Sequence, residues 1–276
     1  MMINQQTELY GVMGNPIGHS LSPILHNAAF RLCGLNAVYL AFESRDAEGC
    51  LSGMRALGIR GMSVTIPHKS IVIPLLDEVG SLAKSIGAVN TVVNDKGRLI
   101  GHNTDALGAL RAMEEKVTLS GMLCLLIGAG GAAQAIGFVL KDKGVALSVV
   151  NRSRHRGEAL AGKLHCPYIP LDEVGKHDAD MIIQTTPVGM YPYINQCPVP
   201  EQLLKKDMLV MDIIYNPLET QLLKKAKDNG CTIIDGLSMF IYQGAEQFEL
   251  WTGVHPPVSE MRRAVEEVLK KQNERN

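Results

Sequence analysis

Apolar positions along this chain of 276 residues follow two periods: short continuous runs bounded by glycine, proline or asparagine, and longer stretches with a 3.6-residue repeat. The first predicts strands and the second amphipathic helices. Leu9 to Gly14 reads as a strand, after which the turn-rich loop from Asn15 leads into a helix. Ser22 stands at its N-cap with Pro23 as the first helical residue; Ile24, Leu25, Ala28, Ala29 and Leu32 give it an apolar face, and Gly34 closes it. Val38 to Glu43 is a second strand, followed by a helix from about Ala47 to Leu57 and by a strand from Gly61 that Pro67 stops. Val89 to Val93 and Leu99 to His102 form a hairpin whose Gly97 can take positive φ. Asn103, Thr104 and Asp105 then open a helix with Ala106, Leu107, Leu110 and Met113 on its apolar face, Asp105 serving as a cap.

The stretch Met122 to Lys143 organises the second half of the chain. Met122 to Ile127 is apolar enough for a strand buried on both faces of a parallel sheet. Gly128, Gly130 and Ala133 then fill a G-x-G-x-x-G/A pattern: a tight turn, a close backbone approach for a pyrophosphate, and close packing of helix on strand. The helix buries Ala132, Ala133, Ile136, Val139 and Leu140 and stops at Gly144; its first N–H groups and its dipole suit an anion. A second strand, Ala146 to Val150, runs into Asn151, Arg152, Ser153, Arg154, His155 and Arg156. An acid here would hold the ribose 2′-hydroxyl of NAD; the arginines suit the 2′-phosphate of NADP. The bland alternatives are a turn that binds nothing and a solvated basic loop.

Further strands at Met181 to Gln184, Met208 to Ile214 and Thr232 to Ile234 alternate with helices that include Gln221 to Asp228, as expected of a doubly wound parallel sheet. A helix from Ser238 to Trp251 and another from Ser259 break the alternation. The fold class is therefore α/β with two domains: an α/β domain at 1–117, a Rossmann-type doubly wound domain at 118–237, and C-terminal helices at 238–276 expected to return to the first.

Charge and composition narrow the partners. Lys and Arg total 27 against 28 Asp and Glu, so no global field attracts nucleic acid or a membrane. Six scattered cysteines without a C-x-x-C pair read as reduced thiols of a cytoplasmic protein. No apolar run reaches the roughly 18 residues of a membrane span, and the histidines lack metal-ligand spacing, so no metal is expected.

Several polar residues sit where an α/β sheet places ligands. Ser20 and Ser22 offer hydroxyls for a carboxylate at a helix start, although capping alone accounts for Ser22. His68 and Lys69 follow Pro67 at a strand's C-terminal edge, where a histidine is usually satisfied locally and a lysine usually solvated.

Taken together, Gly14-Asn15-Pro16-Ile17-Gly18-His19-Ser20-Leu21-Ser22-Pro23, Val64-Thr65-Ile66-Pro67-His68-Lys69, Gly87-Ala88-Val89-Asn90-Thr91, Asn103-Thr104-Asp105, Gly128-Ala129-Gly130-Gly131-Ala132, Asn151-Arg152-Ser153 and Tyr242-Gln243-Gly244-Ala245 resemble the motifs of the shikimate/quinate dehydrogenase family, in the family's order. The resemblance implies an N-terminal α/β substrate domain and NADP-dependent reduction of 3-dehydroshikimate to shikimate in aromatic amino acid biosynthesis, in a cleft between the domains; two domains meeting at a cleft suggest closure on binding. By residue it implies Lys69 and Asp105 as the catalytic pair. Ser20 and Ser22 would hold the substrate carboxylate, Thr65, Asn90 and Gln243 its hydroxyls, and Tyr215 would line the site. Gly128, Ala129, Gly130, Gly131, Ala132, Asn151, Arg152, Ser153 and Arg156 would bind the cofactor. Quinate as a substrate, NAD as a cofactor, and monomer against homodimer all stay open. So does a non-catalytic regulator that binds the same ligands, although Lys69 and Asp105 are both retained.

Overall fold

The computed structural model describes residues 3–273. In chain order its elements begin β1 (Glu8–Gly14), α1 (Ser22–Leu32), β2 (Ala37–Glu43), α2 (Ala47–Ala56), β3 (Gly61–Val64), β4 (Glu78–Val79), α3 (Ser81–Ile86), β5 (Thr91–Asp95), β6 (Arg98–His102) and α4 (Asp105–Glu114). They continue with β7 (Leu123–Ile127), α5 (Gly131–Asp142), β8 (Ala146–Asn151), α6 (Arg154–Leu164), β9 (Tyr168–Pro170), β10 (Met181–Gln184), β11 (Leu209–Asp212), α7 (Gln221–Asp228), β12 (Thr232–Ile234), α8 (Gly236–Thr252) and α9 (Val258–Asn273). Two compact units result: one takes the residues up to Thr104 with those from Ile241 on, the other Asp105–Phe240. Helix α4 belongs to the second unit, where it packs on α5, and so lies past a division placed here rather than at 117.

The first unit holds a mixed sheet in the order β2-β1-β3-β5-β6-β4. Its antiparallel part comes from the hairpin: Asp95 pairs with Arg98, leaving Lys96 and Gly97 as a two-residue turn with φ of 53° and 94°. Positive φ at both positions matches the turn to the strands' twist. Helix α1 packs on β1, β2 and α9. Its buried face is Ser22, Leu25, His26, Ala29 and Phe30, whereas Ile24 and Leu32, which periodicity placed inward, are exposed. Helix α8 lies close: a Cβ on Gly244 would stand 2.7 Å from Leu25, and one on Gly61 of β3 would meet the Trp251 ring. Trp251 Nε1 donates to the Val92 carbonyl at 3.1 Å, and Tyr10, His26, Phe30, Tyr39 and Phe248 fill the space beside it.

The second unit's sheet is wholly parallel, β12-β11-β10-β7-β8-β9. Counted from β7 this is the 3-2-1-4-5-6 order of a Rossmann fold, with its switch point at β7 and β10. Strands β10 and β11 are buried throughout, and α5 buries Ala133, Ile136, Val139 and Leu140 on its inner face. Strand β11 ends at Asp212, two residues before the predicted Ile214, because the Ile214 N–H turns back to the Asp212 carboxyl at 3.0 Å. Among the described residues, no helix is long and apolar enough to cross a membrane.

Candidate active site

In the first unit the chain enters α1 through Ser20. Leu21, not Ser22, is the N-cap residue: its backbone is already in the helical region (φ −90°, ψ −1°), so the helix starts one residue earlier than the proline suggested. Ser22 is the first helical residue, and its N–H donates to Ser20 Oγ at 3.3 Å. Freed from capping, the Ser22 side chain is buried.

After β3 the chain makes a tight turn in which the Thr65 carbonyl accepts the His68 N–H at 2.8 Å and the Thr65 N–H donates to Met13. Gly14 permits this approach, since a Cβ there would lie 2.4 Å from Thr65 Cγ2. His68 is buried with Nε2 2.7 Å from the Ser44 carbonyl; a carbonyl only accepts, so Nε2 carries the proton and the histidine is structural. The Lys69 carbonyl accepts the Val89 N–H at 2.8 Å, which ties the half-buried lysine to the chain entering β5.

Asn90 is 2 % exposed and held on every side. Its Oδ1 accepts the Thr104 N–H at 2.7 Å and the Thr91 hydroxyl at 2.8 Å; its Nδ2 donates to Thr104 Oγ1 at 3.0 Å and to Gln243 Oε1 at 3.5 Å. The obligate donor Thr104 N–H fixes which end of the amide is which. Asp105 follows Thr104 as the first residue of α4.

In the second unit the turn after β7 is built for a phosphate. Gly128 has φ of 116°, and a Cβ on it would stand 2.3 Å from Thr185 Oγ1, whose hydroxyl bonds the Ile127 carbonyl at 2.7 Å. Gly130 and Gly131 face open space, and Gly130 as N-cap has no side chain to satisfy the first N–H groups of α5. Ala129 and Ala132 complete the turn without adding an acid. Helix α6 starts in the same way: its N-cap Ser153 makes no side-chain cap bond, its first turn carries no acid, and Arg152 and Arg156 are exposed beside it. The expected basic loop is therefore largely a helix start. Uncapped donors, a positive helix end and two guanidinium groups fit a dinucleotide bearing an extra phosphate.

Asn151 is pinned by its Nδ2 on the Ser153 carbonyl at 2.9 Å, and its own carbonyl receives the Tyr168 hydroxyl at 3.0 Å. Arg154 is engaged elsewhere, 3.1 Å from Glu158 and over the Tyr168 ring. Tyr215, half-buried, packs against Phe240 with ring centroids 5.2 Å apart and the rings tilted by 33°, and burial pushes its phenol above the ordinary range.

The motifs did not name every residue that shapes these sites. Buried Gln184 orders the loop after β10, accepting the Thr186 N–H at 3.0 Å and donating to the Val188 carbonyl at 3.0 Å. Ser63 lies in β3 two residues before Thr65, and Gln247 lies one helical turn past Gln243. Those spacings were the available signals. Among the described residues, no group of three or more His, Cys, Asp or Glu is placed to hold a metal.

Comparison with known proteins agrees along the chain. Residues 12–92 match the shikimate dehydrogenase substrate binding domain, 111–237 match shikimate / quinate 5-dehydrogenase, and 236–266 match the shikimate 5'-dehydrogenase C-terminal domain. A shikimate dehydrogenase (NADP(+)) of Thermococcus kodakarensis is 48% identical, across 95% of this chain and 97% of that protein. A crystal structure of a shikimate dehydrogenase in complex with NADP+ superposes with a TM-score of 0.93 at 43% identity, covering 97% of this chain and 98% of the other. The Thermus thermophilus shikimate 5-dehydrogenase in complex with NADP(H) and shikimate gives 0.88 at 36% identity, with 94% and 99% covered.

Proposed function

Since the chain belongs to the shikimate dehydrogenase family, we propose that it catalyses the reversible, NADP-dependent reduction of 3-dehydroshikimate to shikimate in the cytoplasm, as a step of aromatic amino acid biosynthesis. The observation that carries this reading is the uncapped start of α6 with Arg152 and Arg156 beside it, downstream of the open glycine turn. That pair of helix starts selects a dinucleotide with a 2′-phosphate.

NADP, when bound, supplies the hydride chemistry. The chain's residues bind, orient and handle the proton. Ser20 and Ser22 hold the substrate carboxylate at the start of α1, while Thr65, Asn90 and Gln243 hold ring hydroxyls and Tyr215 contacts the ring. Asn90 suits this task because its amide is already oriented by Thr104 and Thr91, and the long 3.5 Å bond from Nδ2 to Gln243 is the one a ring hydroxyl would replace. Lys69, as an ammonium, keeps a proton at Nζ for the carbonyl oxygen that gains charge, and Asp105 accepts a hydrogen bond from the neighbouring hydroxyl. Gly128, Ala129, Gly130, Gly131 and Ala132 receive the diphosphate; Asn151, Arg152, Ser153 and Arg156 receive the adenosine end.

The test is reduced-nicotinamide formation by the purified protein with shikimate or quinate against NADP+ or NAD+. Turnover with shikimate and NADP+ well above the other three pairs is expected. Comparable use of quinate or NAD+ would replace the assignment with a broader quinate/shikimate dehydrogenase, and no turnover with any pair would leave a ligand-binding regulator.

A further inference from the structure

Gln247 of α8 is 1% exposed and uses every hydrogen-bonding position of its amide. Nε2 faces the Asn90 carbonyl at 3.3 Å and Thr91 Oγ1 at 3.0 Å. A backbone carbonyl can only accept, so this end is the NH2 and the other end is the oxygen. Oε1 therefore accepts twice, from the Ser63 hydroxyl at 2.8 Å and from His26 Nε2 at 3.3 Å. That assigns the His26 tautomer and leaves Nδ1 as the bare, unpartnered nitrogen.

Two arms run outward from this amide. On one, Ser63 gives its proton to Gln247, so its oxygen receives the Tyr39 hydroxyl at 2.6 Å. On the other, Thr91 receives Nε2–H and directs its own proton to Asn90 Oδ1 at 2.8 Å. Asn90 is the residue assigned above to a ring hydroxyl.

We propose that Gln247 is a positioning residue for the substrate: one buried side chain sets the donor order behind Asn90. This rests on the dehydrogenase reading. An apolar side chain of the same volume would fill the space yet leave the Ser63, Tyr39 and Thr91 hydroxyls free to reorient, and Asn90 would lose its fixed partner.

The experiment compares Gln247→Met, Asn90→Ala and the double variant by steady-state kinetics with shikimate and NADP+, together with thermal midpoints. Gln247→Met should raise the shikimate KM about tenfold, the order expected from one or two lost hydrogen bonds, with the NADP+ KM within about twofold of wild type. In the Asn90→Ala background the same substitution should cost less than about threefold, because one arm no longer ends on a ligand contact. A glutamine that only braces the fold would act by equal factors in both backgrounds, and that result overturns the proposal. Should Gln247→Met not fold, Thr91→Val breaks the same order by removing the hydroxyl between Gln247 and Asn90; an unchanged shikimate KM there is equally fatal. Wild-type protein without shikimate turnover overturns the dehydrogenase reading and this proposal with it, whereas an active wild type with an indifferent Gln247→Met overturns this proposal alone.

Discussion

The Thr220 hydroxyl donates to Asp212 Oδ2 at 2.8 Å while Thr220 Oγ1 accepts the Leu223 N–H, so the cap of α7 is itself held by a buried carboxyl at the end of β11. Burial raises that carboxyl from 3.8 to about 7, against the pull of the Ile214 and Thr220 donors. The folded state then keeps a proton that the unfolded state has released between those two values, and stability falls as pH rises through the window. Asp212→Asn, neutral at every pH, is expected to flatten this slope. Urea midpoints of both proteins between about pH 4 and 8 check it; parallel curves would mean that another group carries the slope.

His26 acts in the opposite sense. Buried against Tyr39, with ring centroids 4.5 Å apart, it is lowered from 6.5 to about 3 by desolvation, only partly offset by Gln247. The unfolded chain takes up a proton below 6.5 that the folded protein refuses until near 3, so this stabilising contribution is lost as pH falls through that range. One proton is worth about 1.4 kcal/mol per pH unit. His26→Phe keeps a ring in place and should lose less stability than wild type on acidification from about pH 7 to 5. Equal losses in the two proteins would remove His26 as the cause.

Lys69→Ala should lower kcat by about 10²- to 10⁴-fold, the usual contribution of a positioned proton donor, with little change in the shikimate KM. Lys69 is half-buried and its carbonyl, which the substitution retains, is tied to the Val89 N–H, so the fold should survive. Wild-type kcat in the variant would take the proton-donor role away from this residue.

Arginines 152, 154 and 156 should separate cleanly. Arg152→Ala and Arg156→Ala are each expected to raise the NADP+ KM by about tenfold or more, as loss of a charge-assisted hydrogen bond to phosphate would, and to leave the NAD+ KM nearly unchanged. Arg154 already faces Glu158 and Tyr168, so Arg154→Ala should shift neither constant by more than about twofold. A large effect at 154 with none at 156 would reverse the assignment.

Much of the second unit was legible because its strands are buried on both faces and read as plain apolar runs; α7 and β12 begin and end at the predicted residues. Helix α1 shows where that logic stops. Periodicity counts apolar residues, so it chose Ile24 and Leu32, and it could not know that His26 would find an acceptor 221 residues away on Gln247. Helix α4 repeats the lesson: Leu107 is 36% exposed while Ala106, Gly108, Ala109 and Ala112 are buried, since close packing on α5 favours small side chains over large ones. Elements as short as β4, α3 and β9 carry too few residues for any period to register. The site motifs were visible as strings, but Ser63, Thr91 and Gln247 become a network only when β3, β5 and α8 are brought together.

Gly157 admits the Tyr168 ring at a distance no other residue would allow, and the Tyr168 hydroxyl then holds the Asn151 carbonyl. The corner between β8 and α6 is thus braced from behind, by residues other than those whose charge would choose the cofactor. Side chains at 152 and 156 are free to be exchanged without moving the backbone that presents them. Cofactor preference in this chain is in that sense a modular trait, open to change by drift or by design while the scaffold beneath it stays constant.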